Sequence, residues 1–169
     1  MLVIRPTDVE DAPQVTACID AVARERHFLA ATHGFSTGQT RSFIEFLRKS
    51  RGVHLVVLDG GRVVGWCDVT PCSYEGMTHV GRLGRGLLPT FRGHGWGRRL
   101  LATALDAAFA NNLGRIELAV FAANTGAITL YRRAGFREEG RKRLARRLDG
   151  VSDDIIVFGL LHEEWPGIR

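Results

Sequence analysis

Apolar residues along this chain repeat first with one period and then with another, and the changes mark its elements. Leu2-Val3-Ile4-Arg5 reads as a short strand stopped by Pro6. Ala12, Val15, Ile19 and Val22 then recur at helical spacing, with Asp8 or Asp11 available as a cap and Pro13 in the first turn. A looser segment from His27 to Thr40 leads to a second helix around Phe43, Ile44 and Leu47. Val53 to Leu58 reads as a strand and Asp59-Gly60-Gly61 as a hairpin turn. On the returning strand Val63, Gly65, Cys67 and Val69 alternate with Val64, Trp66 and Asp68 on the other face. Pro71 to Gly76 is a loop, and Met77 to Leu88 a further strand.

The strongest helical stripe follows: Trp96, Leu100, Leu101, Ala104, Leu105, Ala108 and Phe109, closed by Gly114 as a C-cap. Arg115 to Phe121 is a strand with Ile116, Leu118 and Val120 inward. Asn124 opens a short helix carrying Ile128, Leu130 and Tyr131, and Gly135 closes it. Phe136 to Leu148 and Val151 to Leu161 form a last hairpin across Asp149-Gly150. The order β-α-α-β-β-β-α-β-α-β-β predicts an α/β chain with a mixed, mostly antiparallel sheet and one strand–helix–strand unit.

That unit holds the chemistry. Arg92-Gly93-His94-Gly95-Trp96-Gly97 lies between a strand and a helix. The first amides of a helix have no partner within it, the helix dipole adds positive charge there, and glycine lets main chain approach a phosphate. The local physics is an anion-binding turn, or simply a tight strand-to-helix turn. No lysine follows at the spacing of a nucleotide-triphosphate loop, and glycines at 93, 95 and 97 miss the Gly-x-Gly-x-x-Gly fingerprint of dinucleotide sites.

Composition narrows the classes. The 169 residues are 45% hydrophobic and 24% charged, which suits one globular domain spanning 1–169. No apolar run approaches the ~20 residues of a membrane span. The N-terminus does not read as a signal peptide, so the expected location is the cytoplasm. Three cysteines without Cys-x-x-Cys spacing suggest reduced thiols, and six histidines show no metal-ligand spacing, so no metal is expected. The net charge of +5 is carried mostly by arginine, since Lys49 and Lys142 are the only lysines. Such a balance suits an anionic partner, coenzyme A or nucleic acid, or reflects compositional bias alone. Nucleic acid is disfavoured, because no recognised motif is present and the arginines are not interleaved with aromatics.

Two separate motifs carry a resemblance. Gly86-Leu87-Leu88-Pro89-Thr90-Phe91-Arg92-Gly93-His94-Gly95-Trp96-Gly97 is similar to the Arg-x-x-Gly-x-Gly acyl-coenzyme A motif of the GNAT N-acetyltransferase superfamily. Asn124, Tyr131 and Gly135-Phe136 resemble its second signature. The likeness is tightest from about Val80 to Phe136 and, in element order, spans essentially the whole chain. It implies a fold with a splayed strand pair, acetyl-CoA as cosubstrate, and a small-molecule or peptide amine as acceptor; it leaves a homodimer open. The runner-up is a non-catalytic acyl-CoA-binding module of the same fold.

The resemblance also implies roles. Main-chain groups near Leu87 and Leu88 would hold pantetheine, and a backbone N–H near Leu88 would supply any oxyanion donor. The amides of Arg92, Gly93, His94, Gly95, Trp96 and Gly97, with Arg98 nearby, would hold pyrophosphate. Asn124 would contact pantetheine, though capping alone explains it as well. Tyr131 would serve as the acid; otherwise it is a half-buried core aromatic. Its hydroxyl, pKa ~10, lies about 2 kcal/mol uphill of a thiol at ~8.5, a gap a placed donor can bridge. The family often carries a carboxylate base on the strand leading to the glycine loop, but Thr78-His79-Val80-Gly81-Arg82-Leu83 has none. His79 is then the nearest base, unless it is a plain surface histidine, with Glu75 and Asp68 as fallbacks. His27, Phe28, His33 and Phe35 fall in the segment that would cover the acceptor site.

Overall fold

The computed structural model describes residues 1–167. Its seven strands form one sheet. They are β1 (Leu2–Pro6), β2 (Val53–Asp59), β3 (Arg62–Pro71), β4 (Val80–Leu87), β5 (Arg115–Phe121), β6 (Arg137–Leu148) and β7 (Val151–Leu161). The spatial order is β1-β2-β3-β4-β5-β7-β6, with β4 and β5 parallel and every other neighbouring pair antiparallel. The helices are α1 (Ala12–Arg24), α2 (Thr37–Lys49), α3 (Trp96–Ala110) and α4 (Thr125–Arg133). The element order and the mixed, mostly antiparallel sheet match the sequence reading.

Helices cover both faces. Leu100, Leu101, Ala104, Leu105, Ala108 and Phe109 of α3 pack with Cys67, Val69, Leu83, Ile116, Leu118 and Phe158 into the larger core. On the opposite face Val15, Cys18 and Val22 of α1 pack on Val56, Val63 and Trp66. α2 starts where Ser36 and Gln39 cap each other, each side chain accepting the other's main-chain N–H.

Local boundaries depart from the periodic reading for definite reasons. The β2–β3 register shifts between Val57 and Leu58. That bulge breaks the expected alternation: Val63 joins Trp66 on the α1 face, and Val64 joins Cys67 and Val69 in the α3 core. β4 begins at Val80, not Met77, because Glu75–Met77 is a 3-10 turn. α3 ends through Asn112, at φ 62°, while the N–H of Gly114 goes to the carbonyl of His79. Gly114 is therefore not the cap of α3. Gly135, at φ 97°, does close α4.

One feature of the sheet positions the site. β4 pairs with β5 only over Val80–Arg82 against Arg115–Glu117. β3 holds β4 on its other side all the way to Leu87. Past Arg82 the parallel strands therefore separate and leave a gap in the middle of the sheet.

Candidate active site

A cleft of about 770 Å³ occupies that gap, lined by residues of the end of β4, the glycine loop, β5, α4 and the segment after α1. Its floor follows from strand alternation. Leu88 gives its N–H to Val64 of β3 at 2.9 Å. Arg85 and Leu87, three residues and one residue earlier, therefore turn their main-chain groups toward β5 and into the gap. The carbonyl of Leu87 accepts from Nε of Arg92 at 2.8 Å, and its N–H faces the gap. With the amide of Leu88 committed to Val64, Leu87 takes its place as the candidate for an oxyanion donor.

The glycine loop closes one end. Gly93 and Gly95 have φ of 78° and 83°, conformations that a side chain resists. Gly95 is the N-cap of α3 and brings no side chain to its amides. Among the described residues no group accepts from the N–H groups of Gly93 to Gly97. Unpaired amides at the positive end of a 15-residue helix form a cradle for an anion such as pyrophosphate. The motif's arginine does something else. Arg92 pairs through both terminal nitrogens with Glu25 at 2.8 and 2.5 Å and lies over Phe28 at 4.7 Å. It ties the loop to the end of α1, and Arg98 is left as the exposed cation at the cleft's edge.

Across the cleft, Asn124 caps α4 by accepting from the N–H of Ala127 at 3.2 Å. That uses its oxygen and leaves the amide NH2 free toward the cleft it lines. Tyr131 is 6% exposed and also lines the cleft, between Phe136 and Phe158. Burial raises the pKa of its hydroxyl, and the nearby positive charge of Arg85 works against that rise.

Leu87, Arg92, Gly93, Gly95, Gly97, Arg98, Asn124 and Tyr131 thus converge on one cleft. Leu88, His94 and Trp96 are not in its lining; Leu88 lies at a separate small hollow with Gln14 and Arg62, and Trp96 stacks under Arg99 at 4.4 Å. The structure does not bring His79 there. His79 is exposed in the turn before β4, at the strand's far end. Glu75, in the preceding 3-10 turn, is exposed as well.

Asp68 is placed quite differently. It sits opposite Gly84 on β3, and a Cβ on Gly84 would lie 2.9 Å from its carboxylate. The carboxylate therefore lies over bare backbone of a cleft-lining residue. Trp66 lies over Gly86 in the same way. Burial pushes the Asp68 carboxyl up to about 7, with its own main-chain N–H and the neighbouring Trp66 working against that rise. A carboxylate at that value exchanges protons near neutrality. The signal for it is the glycine pair Gly84 and Gly86, which clears room above β4, but the pairing that makes it meaningful comes from register.

Asp68 and Tyr131 approach β4 from opposite faces of the sheet, Asp68 with Trp66 on the α1 face and Tyr131 with the α3 core. Tyr131 thus lines the cleft itself, whereas Asp68 is not in the lining and lies against the cleft-lining Gly84 from the other face.

On the α1 face the cleft is walled by Val22, Phe28, Leu29, Ala30, Phe121 and Ile155. Arg26 spans to the tip of the β6–β7 hairpin, pairing with Asp149 at 2.9 and 2.7 Å. Arg146 donates to the carbonyl of Arg26 at 2.6 Å and lies 4.2 Å over Phe121. His27 and Phe35 are exposed and, with His33, absent from the lining; Asp153 accepts from the N–H of Ala123. Among the described residues no cluster of side chains suits a metal ion, and no helix is long and apolar enough to cross a membrane.

Residues 20–136 match the model of the acetyltransferase (GNAT) family. The N-alpha-acetyltransferase RimI of Mycobacterium tuberculosis is 36% identical over 98 residues, which cover 54% of this chain and 56% of that protein. The match thus spans just over half of that curated relative. A GNAT-family acetyltransferase from Streptococcus pneumoniae superposes with a TM-score of 0.90 at 24% identity, over 95% of this chain and 99% of that one. A phosphinothricin acetyltransferase from Sinorhizobium meliloti, solved in complex with acetyl-CoA, superposes with a TM-score of 0.88 at 17% identity, over 95% and 88%.

Proposed function

The chain belongs to the GNAT acetyltransferase family, and from that premise we propose that it transfers an acetyl group from acetyl-CoA to a primary amine of a small molecule or peptide, by direct attack on the thioester. The observation that carries this reading is the gap between β4 and β5, with Tyr131 on one face and Asp68 on the other.

The residues fit acetyl-CoA. The free amides of Gly93 to Gly97 suit its pyrophosphate, and the amide of Asn124 and the N–H of Leu87 suit pantetheine or the thioester oxygen. When bound, acetyl-CoA supplies an acyl carbon made electrophilic by its thioester. The amine enters from the α1 side, between Phe28 and Phe121. Asp68 takes its proton as the C–N bond forms. This matters because a lysine-like amine, pKa ~10.4, is under ~0.1% neutral at pH 7. The N–H of Leu87 donates to the oxygen on which charge develops. Tyr131 meets the sulfur from the α4 side with a proton or a hydrogen bond. Asp68 replaces His79 in this scheme because it lies against Gly84 of the cleft wall, whereas His79 is exposed at the other end of β4. The name of RimI, an N-alpha-acetyltransferase, supports an acceptor amine in its α-amino form.

A screen of acetyl-CoA against amino acids, polyamines, aminoglycosides and peptides, with acetylated product detected by mass, tests the reading. Turnover on an amine, abolished in Asp68→Asn, is the expected result. Coenzyme A binding without turnover on any amine would instead indicate a non-catalytic binding module, and absence of binding at millimolar acetyl-CoA would overturn the reading altogether.

A further inference from the structure

Three arginines line the cleft, and two are accounted for. Arg92 is engaged by Glu25, and Arg98 stands exposed at the first turn of α3. Arg85 differs from both. It is half-buried in the middle of the cleft wall, and no carboxylate among the described residues pairs with it. Its Nη1 donates to the carbonyl of Gly97 at 2.9 Å, which tethers the side chain to the start of α3. Its guanidinium carbon lies 5.5 Å from the centre of the Tyr131 ring. A Cβ at residue 97 would stand only 3.2 Å from a guanidinium nitrogen, so glycine there makes room for the tether.

An arginine with one main-chain carbonyl and no counter-ion has donors to spare. The reaction proposed above creates the missing negative charge at this place. The C–N bond forms, the C–S bond breaks, and its electron pair stays on sulfur; the amine proton goes to Asp68. The Tyr131 proton moves onto sulfur or is shared with it, so the phenol oxygen and the sulfur together carry one negative charge. Resting on that reading of the site, we propose that Arg85 is a positioning residue: held by the Gly97 carbonyl, it aims the Tyr131 hydroxyl at the thioester sulfur and balances the charge of the departing thiolate through it.

The surroundings of Tyr131 leave this task to Arg85. From β3 it meets Cys67, a thiol that burial keeps protonated. Phe136 and Phe158 meet it as uncharged rings. From its own helix Arg132 is exposed and pairs with Glu138. The pull of Arg85 on the Tyr131 hydroxyl, opposing burial, has the sign the role requires.

The chain has two tyrosines, and Tyr74 is 74% exposed. In a Tyr74→Phe background the phenolate absorbance therefore reports Tyr131 alone, with no acceptor needed. Arg85→Met should move that titration to higher pH, and Arg85→Lys should restore part of it, with circular dichroism confirming the fold. An unmoved titration in Arg85→Met overturns the proposal. A second measurement reads the sulfur. Above the ordinary thiol pKa of ~8.5, the native protein should bind coenzyme A more tightly than desulfo-coenzyme A by roughly tenfold, the scale of one charge-assisted hydrogen bond. That preference should vanish in Arg85→Met and persist in Arg85→Lys; equal preference in all three overturns the proposal. If instead the native protein prefers succinyl-CoA to acetyl-CoA and Arg85→Met loses that preference, the guanidinium serves a carboxylate on the acyl group and the proposal falls. Failure to bind any coenzyme A overturns the acetyl-transfer reading, whereas the tyrosine titration decides the Arg85–Tyr131 link by itself.

Discussion

The two sides of the cleft are built on different principles. On the proposed donor side, main chain would do the recognising. Bare amides of Gly93 to Gly97, the left-handed glycines and the turned-out groups of Leu87 are set by a short continuous stretch from β4 into α3. On the proposed acceptor side, side chains would do it, and they come from far apart in sequence. Phe28 follows α1, Phe121 ends β5, and Arg26 closes on Asp149, 123 residues away, through an exposed ion pair. A phosphate cradle made of backbone tolerates few sequences and so leaves a signature. A wall of side chains tolerates many, which lets one scaffold take up different acceptors.

The sharpest way to break this contrast is to put a side chain into the cradle. Gly95→Val forces a β-branched residue to φ 83° and sets methyl groups where an anion would lie. Left-handed strain of ~1–2 kcal/mol lowers stability in the free and bound states alike, and the loss of about two charged hydrogen bonds at ~1.5–3 kcal/mol each predicts a fall in coenzyme A affinity of roughly a thousandfold. Calorimetric titration checks it. A fall below tenfold would mean that side chains, not amides, hold the donor.

Asp68→Asn tests the point where the two sides meet. General-base loss predicts a drop in kcat/KM of at least roughly a hundredfold with coenzyme A affinity unchanged. In the native protein kcat/KM should rise with pH through about 7 as the carboxyl ionises. Stability should move the other way. The folded pKa of Asp68 lies above its unfolded value, so its contribution is greatest below the ordinary carboxylate range and is lost as pH rises through about 7. Asp68→Asn should therefore melt higher than the native protein at pH 8. A variant that is inactive but less stable there would make Asp68 a structural carboxylate.

His54 separates the two sides by acid. It is 7% exposed on β2, edge-on to Phe43 of α2 and hydrogen-bonded to the Thr7 hydroxyl at 2.7 Å. Burial pushes its pKa down to about 4, so the ring is neutral in the fold. A base with a depressed folded pKa contributes stability that is fully present above pH ~6.5 and lost as pH falls toward 4. The full depression corresponds to about 3 kcal/mol at ~1.36 kcal/mol per pKa unit. Denaturant midpoints at pH 7 and pH 4 should show that loss, and His54→Gln should flatten it. Hydrogen exchange at pH 5 should loosen α2 before α3, since the imidazole packs under the acceptor-side helices.

These tests follow how much could be read from sequence. Element order, the α3 stripe and the glycine loop that closes one end of the cleft are legible because each rests on local periodicity or a contiguous motif. The strand-face assignment of Val63 and Val64 was not, because one bulge between Val57 and Leu58 reverses it. The same holds for the base. His79 precedes β4 and lies at its far end, whereas Asp68 comes against the cleft-lining Gly84 only through strand register. Register between strands is a non-local quantity, fixed by packing across the sheet. Arg85 was legible as one basic residue among many; only the tether to Gly97 and the ring of Tyr131 single it out.

The smallest expected effect sharpens the contrast most. Arg26→Ala removes the pair with Asp149, and both side chains are largely exposed. Exposed pairs are screened and contribute little, so the melting temperature should barely move. Coenzyme A affinity should also hold, because Arg92–Glu25, not Arg26, connects α1 to the glycine loop. What should change is the acceptor KM, by several-fold, because the pair with Asp149 fixes the position of the residue-26 carbonyl that holds Arg146 over Phe121 in the proposed acceptor wall. Raising the salt concentration should reproduce part of that rise in the native protein and add nothing in the variant, since an exposed ion pair weakens as ionic strength grows. An equal rise in the KM for acetyl-CoA would show that the two sides are coupled through residues 25 and 26, and the division into a backbone-built donor side and a side-chain-built acceptor side would fail at that joint.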